Sequence, residues 1–124
     1  MASVTRPAGI HTVFDAYAEG CPSRRLLDLV TSKWAVLAVG ALEDGPARFG
    51  ALRRRLEGVS SKVLSDKLRQ LEDEGLIERV IIERPLAVTY GLTEVGRSLV
   101  VHLANLRRWA EAHCDADIAG PLSR

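Results

Sequence analysis

Residues 45–75 read GPARFGALRRRLEGVSSKVLSDKLRQLEDEG. Gly45-Pro46, after Asp44, marks a turn. Phe49, Leu52 and Leu56 then recur at helical spacing, with Arg53, Arg54 and Arg55 on the outer side. Glu57-Gly58-Val59 is a tight link, after which Ser60 or Ser61 is placed to cap a second helix. In that helix Leu64, Leu68 and Leu71 recur at i, i+4, i+7, and Gly75 is a stop signal. The opposite face carries Lys62, Ser65, Asp66 and Arg69. A short helix, a turn with an apolar residue and a longer helix make a helix-turn-helix pattern.

Upstream, the spacing of Ile10, Val13, Phe14 and Tyr17 predicts an amphipathic helix over residues 10–19, ended by Gly20. Cys21-Pro22-Ser23 opens another helix, with Leu26, Leu27, Leu29 and Val30 as its apolar face. Thr31 and Ser32 break the pattern and offer a cap for a helix over residues 33–43, apolar almost all round and therefore central. Downstream, residues 76–83 are rich in β-branched side chains, and Val88, Tyr90 and Leu92 alternate with smaller residues, which predicts two strands. Arg84-Pro85-Leu86 forms the tip between them. Thr93 caps a last helix, residues 94–113, with Glu94 near its positive end.

The chain has 124 residues, 47% hydrophobic and 27% charged, which suits one soluble domain able to build a core without staples. The expected organisation is a flexible arm (residues 1–9), a folded domain (10–113) and a loose tail (114–124). No apolar run reaches the roughly 18 residues of a membrane span. Residues 1–20 are small and polar with Asp15 and Glu19, unlike a secretory leader, so the expected location is the cytoplasm. Cys21 and Cys114 are too far apart in sequence for a metal-binding CxxC pair.

A formal charge of +1 conceals an uneven distribution. Residues 45–69 hold seven cations (Arg48, Arg53, Arg54, Arg55, Lys62, Lys67, Arg69) against Glu57 and Asp66. A local basic segment points to an anionic partner, although an Arg-rich solvated face is an equal reading on charge alone.

The order helix, helix, turn, second helix, β-hairpin, long helix is that of a winged helix-turn-helix domain. From Cys21 through His113 the chain resembles the HxlR-type transcription regulators, relatives of the MarR-type winged-helix proteins. The resemblance rests on Cys21-Pro22, Lys33-Trp34, Gly45-Pro46 with Arg48-Phe49, and Gly58-Val59-Ser60. It continues with Leu64, Leu68-Arg69-Gln70-Leu71-Glu72, Gly75-Leu76, and Tyr90-Gly91-Leu92-Thr93 with Gly96. Thr31-Ser32 departs from it, standing where that family usually has glycines, and the N-terminal arm is longer than usual. The resemblance implies a mainly α fold with a small hairpin and sequence-specific binding of double-stranded DNA; repression is the expectation because it is the commoner outcome for small regulators lacking a polymerase-contacting domain.

The residues support the same expectation independently. A helix that reads the major groove needs an exposed face of donors and cations, flanked by phosphate contacts. Ser60, Ser61 and Lys62 lie at the helix start, where free N–H groups favour a phosphate, and Ser65 and Arg69 follow one and two turns on. Lys62 and Arg69 have the length to reach guanine. Arg48 precedes the motif, and Arg79 and Arg84 sit on the hairpin, the expected wing. Asp66 is spaced to pair with Lys62 or Arg69, a reading preferred over acceptance from cytosine.

Val95, Leu99, Leu103, Leu106 and Ala110 form a stripe that Val100, Val101, Ala104 and Trp109 widen beyond one face. So broad a stripe predicts two partners, its own domain and a second subunit joined through the terminal helices. The alternative is a monomer whose terminal helices cover each other.

Cys21 precedes a helix start, a setting that favours a thiolate, with Arg24 and Arg25 near in sequence. The resemblance adds that some HxlR-type regulators sense oxidants or electrophiles at this Cys-Pro position. Two readings stand at this stage, a redox sensor at Cys21, with an intersubunit disulfide to Cys114 as one form of it, and a residue that packs a helix start. A regulator answering to a small ligand without thiol sensing, and a winged helix that binds protein, are the alternatives. Enzyme readings fare poorly. His11, His102, His113 and Cys114 lack ligand spacing for a metal, no cofactor-binding glycine loop or nucleophile elbow occurs, and a peroxidase-like role for Cys21 is the best catalytic option.

Overall fold

In the computed structural model residues 14–114 are described. The expected arm (residues 1–9), the start of the expected first helix (10–13) and residues 115–124 lie outside them.

Residues 14–32 form one unit. Here the helix expected over residues 10–19 is corrected, because residues 14–20 run through turns. The Asp15 carboxylate accepts from the Tyr17 N–H at 3.0 Å, and the Ala18 N–H donates to the Asp15 carbonyl. An aspartate that bonds the backbone two residues on offers the chain an alternative to helix, which apolar spacing does not reveal. Helix α1 then spans Ser23–Val30. Leu29 and Val30 are buried, while Leu26 and Leu27 remain exposed. Thr31 and Ser32 do not cap forward. Their hydroxyls turn back, each at 2.7 Å, to the carbonyls of Leu27 and Leu29, so these residues close α1 without the glycines that the resemblance leads one to expect.

Residues 33–114 form the second unit. It comprises α2 (Lys33–Ala41), β1 (Ala47–Arg48), α3 (Phe49–Arg55), α4 (Ser61–Asp73), β2 (Ile77–Glu83), β3 (Leu86–Leu92) and α5 (Glu94–His113). Helix α2 is central, as its nearly continuous apolar surface predicts, and packs on α3, α4 and α5. Ala35, Ala38 and Val39 of α2 meet a core built from Leu52, Leu64, Leu68, Leu71 and Leu103. Trp34 lies against the α3–α4 turn, its ring 3.8 Å from where a Cβ on Gly58 would sit, with the Lys33 ammonium over the same ring.

The sheet is antiparallel, in the order β1-β3-β2. Strand β1, two residues pairing with Thr89 and Tyr90, has no counterpart in the sequence reading. Two residues carry no period, and the partner that makes them a strand is some forty positions away. The hairpin runs from Ile77 opposite Leu92 to Glu83 opposite Leu86, so its tip is Arg84-Pro85, one residue shorter than expected. Only its base is covered. Ile77, Gly91 and Leu92 are buried, whereas Ile81, Ile82, Leu86 and Val88 are exposed because, among the described residues, no layer lies on the outer half of the ribbon.

One junction ties helix, wing and last helix together. Gly75 takes φ +76° after α4, the Leu76 N–H donates to the Leu71 carbonyl and the Gly75 N–H to that of Glu72. This is a Schellman ending, closed by two buried leucines. Thr93 caps α5 by accepting from the Gly96 N–H at 3.1 Å, and its hydroxyl donates to the Gly75 carbonyl at 2.6 Å. A Cβ on Gly96 would overlap the Leu76 carbonyl oxygen, so α5 starts where only glycine fits.

Candidate nucleic-acid interface

Helix α4 buries Leu64, Leu68 and Leu71, and so the residues half a turn away, Lys62, Ser65, Asp66 and Arg69, face outward. Ser60 is the N-cap. Its hydroxyl accepts from the Val63 N–H at 3.1 Å, which identifies it over Ser61 as the cap; Ser61 opens the helix and is exposed. Asp66 takes both expected partners. One carboxylate oxygen is 3.2 Å from Lys62 Nζ, and the other is 3.4 Å from an Arg69 Nη.

Between α4 and the wing lies a cleft of about 430 Å³ lined by Ser65, Leu68, Arg69, Glu72, Asp73, Arg79 and Tyr90. The fold thus brings Ser65, Arg69 and Arg79 to one groove. Arg79 sits at the wing's base, its guanidinium 3.3 Å from Glu72 of α4. Arg84 is at the tip, five residues farther along the strand, or about 16 Å at strand rise. The two wing arginines therefore hold different positions, which "on the hairpin" did not distinguish. Arg48, exposed, ends β1 and stands at the N-cap position of α3. Arg53, Arg54 and Arg55 are exposed on the last turn of α3. The sequence reading named Glu72 and Tyr90 without giving either a place in the site. The signal for Glu72 was its place one turn from Arg69 on the wing side of α4, but its partner follows a loop.

Cys21 is half-buried ahead of α1, its Sγ 3.0 Å from the Ser23 hydroxyl. Arg24 does not serve the thiol. Its guanidinium donates to the carbonyls of Ala16 and Tyr17, both at 2.9 Å. Cys114 follows α5, exposed, and both cysteines are free thiols. Among the described residues no three His, Cys, Asp or Glu side chains are grouped to hold a metal, and no helix is long and apolar enough to cross a membrane.

A helix-turn-helix with a β-wing beside its second helix defines the winged helix-turn-helix class of fold. The family model described as HxlR-like helix-turn-helix matches residues 29–118, and the chain belongs to that family. It is a transcription regulator with a DNA-binding fold, not an enzyme. The chain is similar to the uncharacterised HTH-type transcriptional regulator YtfH of Escherichia coli K12, with 43% identity over 96 residues, covering 77% of this chain and 76% of that protein. The structure of the ytfH regulator from Salmonella typhimurium superposes with a TM-score of 0.78 at 39% identity, over 90% of this chain and all of that one. The redox regulator HypR in its oxidised form superposes with a TM-score of 0.71 at 32% identity, over 77% of this chain and 100% of that one.

Proposed function

We propose that the chain acts in the cytoplasm as a homodimeric repressor that binds an inverted-repeat operator, each α4 in a major groove and each wing tip on the neighbouring minor groove. The observation that carries this reading is the outward face of α4, where Lys62, Ser65 and Arg69 stand on a helix held rigidly by three buried leucines. Arg48, Ser60, Ser61 and Arg84 supply backbone contacts around it, and Arg79 sets the wing against α4. Dimer formation is supported by the apolar side chains left exposed on α5, among them Val95, Leu106 and Trp109, and on α1 by Leu26 and Leu27. A two-fold dimer places half-sites about one helical turn apart, or a multiple of it.

The test is binding to duplexes enriched from a randomised library. Arg69→Ala loses roughly 1–3 kcal/mol on the enriched site and relaxes its preference, whereas Arg84→Ala weakens all duplexes and flattens the salt slope by about one. Unchanged binding by Arg69→Ala on both enriched and shuffled duplexes overturns the assignment of α4.

A second reading concerns the signal. The half-buried Cys21 thiol beside the Ser23 hydroxyl, and the likeness to a redox regulator, support release of DNA when oxidants or electrophiles modify Cys21. Diamide then weakens operator binding by the wild type, dithiothreitol restores it, and Cys21→Ser no longer responds. A serine variant as sensitive as the wild type makes Cys21 a packing residue and leaves a small-molecule ligand as the inducer; loss of the response in Cys114→Ser as well makes the two thiols partners.

A further inference from the structure

The outward face of α4 is electrically neutral. Lys62, Asp66, Arg69 and Asp73 follow one another along it, two cations and two carboxylates. The unbalanced positive charge lies instead on the flanks, at Arg48, at Arg53 to Arg55 and at Arg84. A helix whose task was simple attraction to phosphate would not carry a carboxylate between the two long donors of its outward face, Lys62 and Arg69. Nor does fold stability explain Asp66. Its side chain is 37% exposed, those of Lys62 and Arg69 are more so, and ion pairs this accessible add little.

We propose that Asp66 is a specificity-determining positioning residue, which holds Arg69 for base reading and withholds both Lys62 and Arg69 from indiscriminate phosphate contact. This rests on the reading of α4 as the helix that enters the major groove. Arg69 gives Asp66 one Nη, 3.4 Å from the carboxylate. A guanidinium has five N–H donors in a fixed fork, so the remaining edge can still present two parallel donors to guanine O6 and N7. On a phosphate the balance differs. Arg69 must either leave Asp66 or carry its negative charge toward the backbone, and both penalise binding that ignores sequence. Lys62 is held in the same way from the other oxygen, 3.2 Å away. The face therefore binds tightly only where base edges reward the orientation that Asp66 imposes. The flanking arginines provide the general attraction.

The experiment uses the full chain. Duplexes enriched from a randomised library by the wild type, and shuffled versions of them, are titrated at several salt concentrations with wild type, Asp66→Asn, Arg69→Ala and the double variant. Asp66→Asn is expected to tighten binding to shuffled duplexes and steepen their salt slope by about one or two, as Lys62 and Arg69 become free for phosphate. The ratio of enriched to shuffled affinity falls about tenfold, within the discrimination that one bidentate pair provides. In the Arg69→Ala background the same substitution costs less of the remaining preference, because only Lys62 is then left for Asp66 to withhold. Circular dichroism of Asp66→Asn stays that of the wild type. A wild-type ratio in Asp66→Asn, or an equal loss of preference with and without Arg69, overturns the inference while leaving the DNA-reading function standing. A wild type that enriches no duplex overturns both.

Discussion

Helices α4 and α5 are built to the same local rules and end with opposite surfaces. Each starts with a hydroxyl cap, Ser60 for α4 and Thr93 for α5, and each buries one apolar face in the same core. The outer face of α4 is polar throughout its centre. That of α5 carries Val95, Leu106 at 50% exposure and Trp109 at 60%, with Trp109 stacked on His113. Burial of the inner faces makes the fold; the outer faces state what each helix meets next. A polar, donor-rich face suits the groove of a duplex, which would gain nothing from leucine. An apolar face on a helix of about 30 Å suits another protein surface. The broad stripe read in the sequence of α5 thus divides in two, one half spent on the domain and one half available.

The most damaging way to test this division is to separate α5 from its seat. Gly96→Ala puts a methyl into the Leu76 carbonyl, and neither the helix nor the strand start can move without breaking the Thr93 and Schellman bonds. A loss of about 3 kcal/mol or more in urea unfolding is expected, larger than the 1 kcal/mol or so by which alanine normally outdoes glycine in a helix. A smaller effect follows at the outer face. Leu106→Glu leaves the core untouched, so the unfolding midpoint of the dilute protein holds, while dimer affinity weakens by at least about 2 kcal/mol, through lost burial and an unpaired charge. Light scattering across concentrations checks it, and a wild type that runs only at 13.5 kDa removes the outer face of α5 as an interface. On the α4 side, Ser60→Ala removes the bond to the Val63 N–H and lowers stability by about 1 kcal/mol, with the oligomeric state unchanged.

Much of this was legible in the sequence wherever one residue's neighbours along the chain decide its fate. The leucine period of α4, the stop at Gly75, the cap at Thr93 and the pairing of Asp66 within one helix are all local, and all are observed. The misreadings share a cause. Residues 14–20 turn because an Asp15 side chain bonds the backbone, a competitor that apolar spacing does not register. Thr31 and Ser32 are good caps in either direction, and which helix they serve depends on how α1 ends. Strand β1 exists only through Thr89 and Tyr90. In the site, residue types marked the cations, but whether a cation is free or engaged is a tertiary matter. Arg24 is taken up by two carbonyls and Arg79 by Glu72, across connections whose geometry a sequence does not state.

The smallest expected effect tests whether that last contact matters for folding or for aim. Arg79 is exposed and Glu72 about one-third so, and the geometry is a single bond at 3.3 Å, so Glu72→Gln should change stability by less than about 1 kcal/mol. The outer half of the wing is exposed, and the short β1 edge and this bridge are among the contacts that join its lower half to the helices. A bridge too weak to alter unfolding can still narrow the range of wing angles, and the tip at Arg84, about 16 Å farther out, magnifies any change at the base. Glu72→Gln is therefore expected to unfold like the wild type and yet to bind an enriched duplex a few-fold more weakly, with Arg84→Ala contributing less in that background than alone. Additive effects of the two substitutions would mean that Arg84 finds its phosphate without help from Glu72, and that the cleft between α4 and the wing is set by the sheet alone.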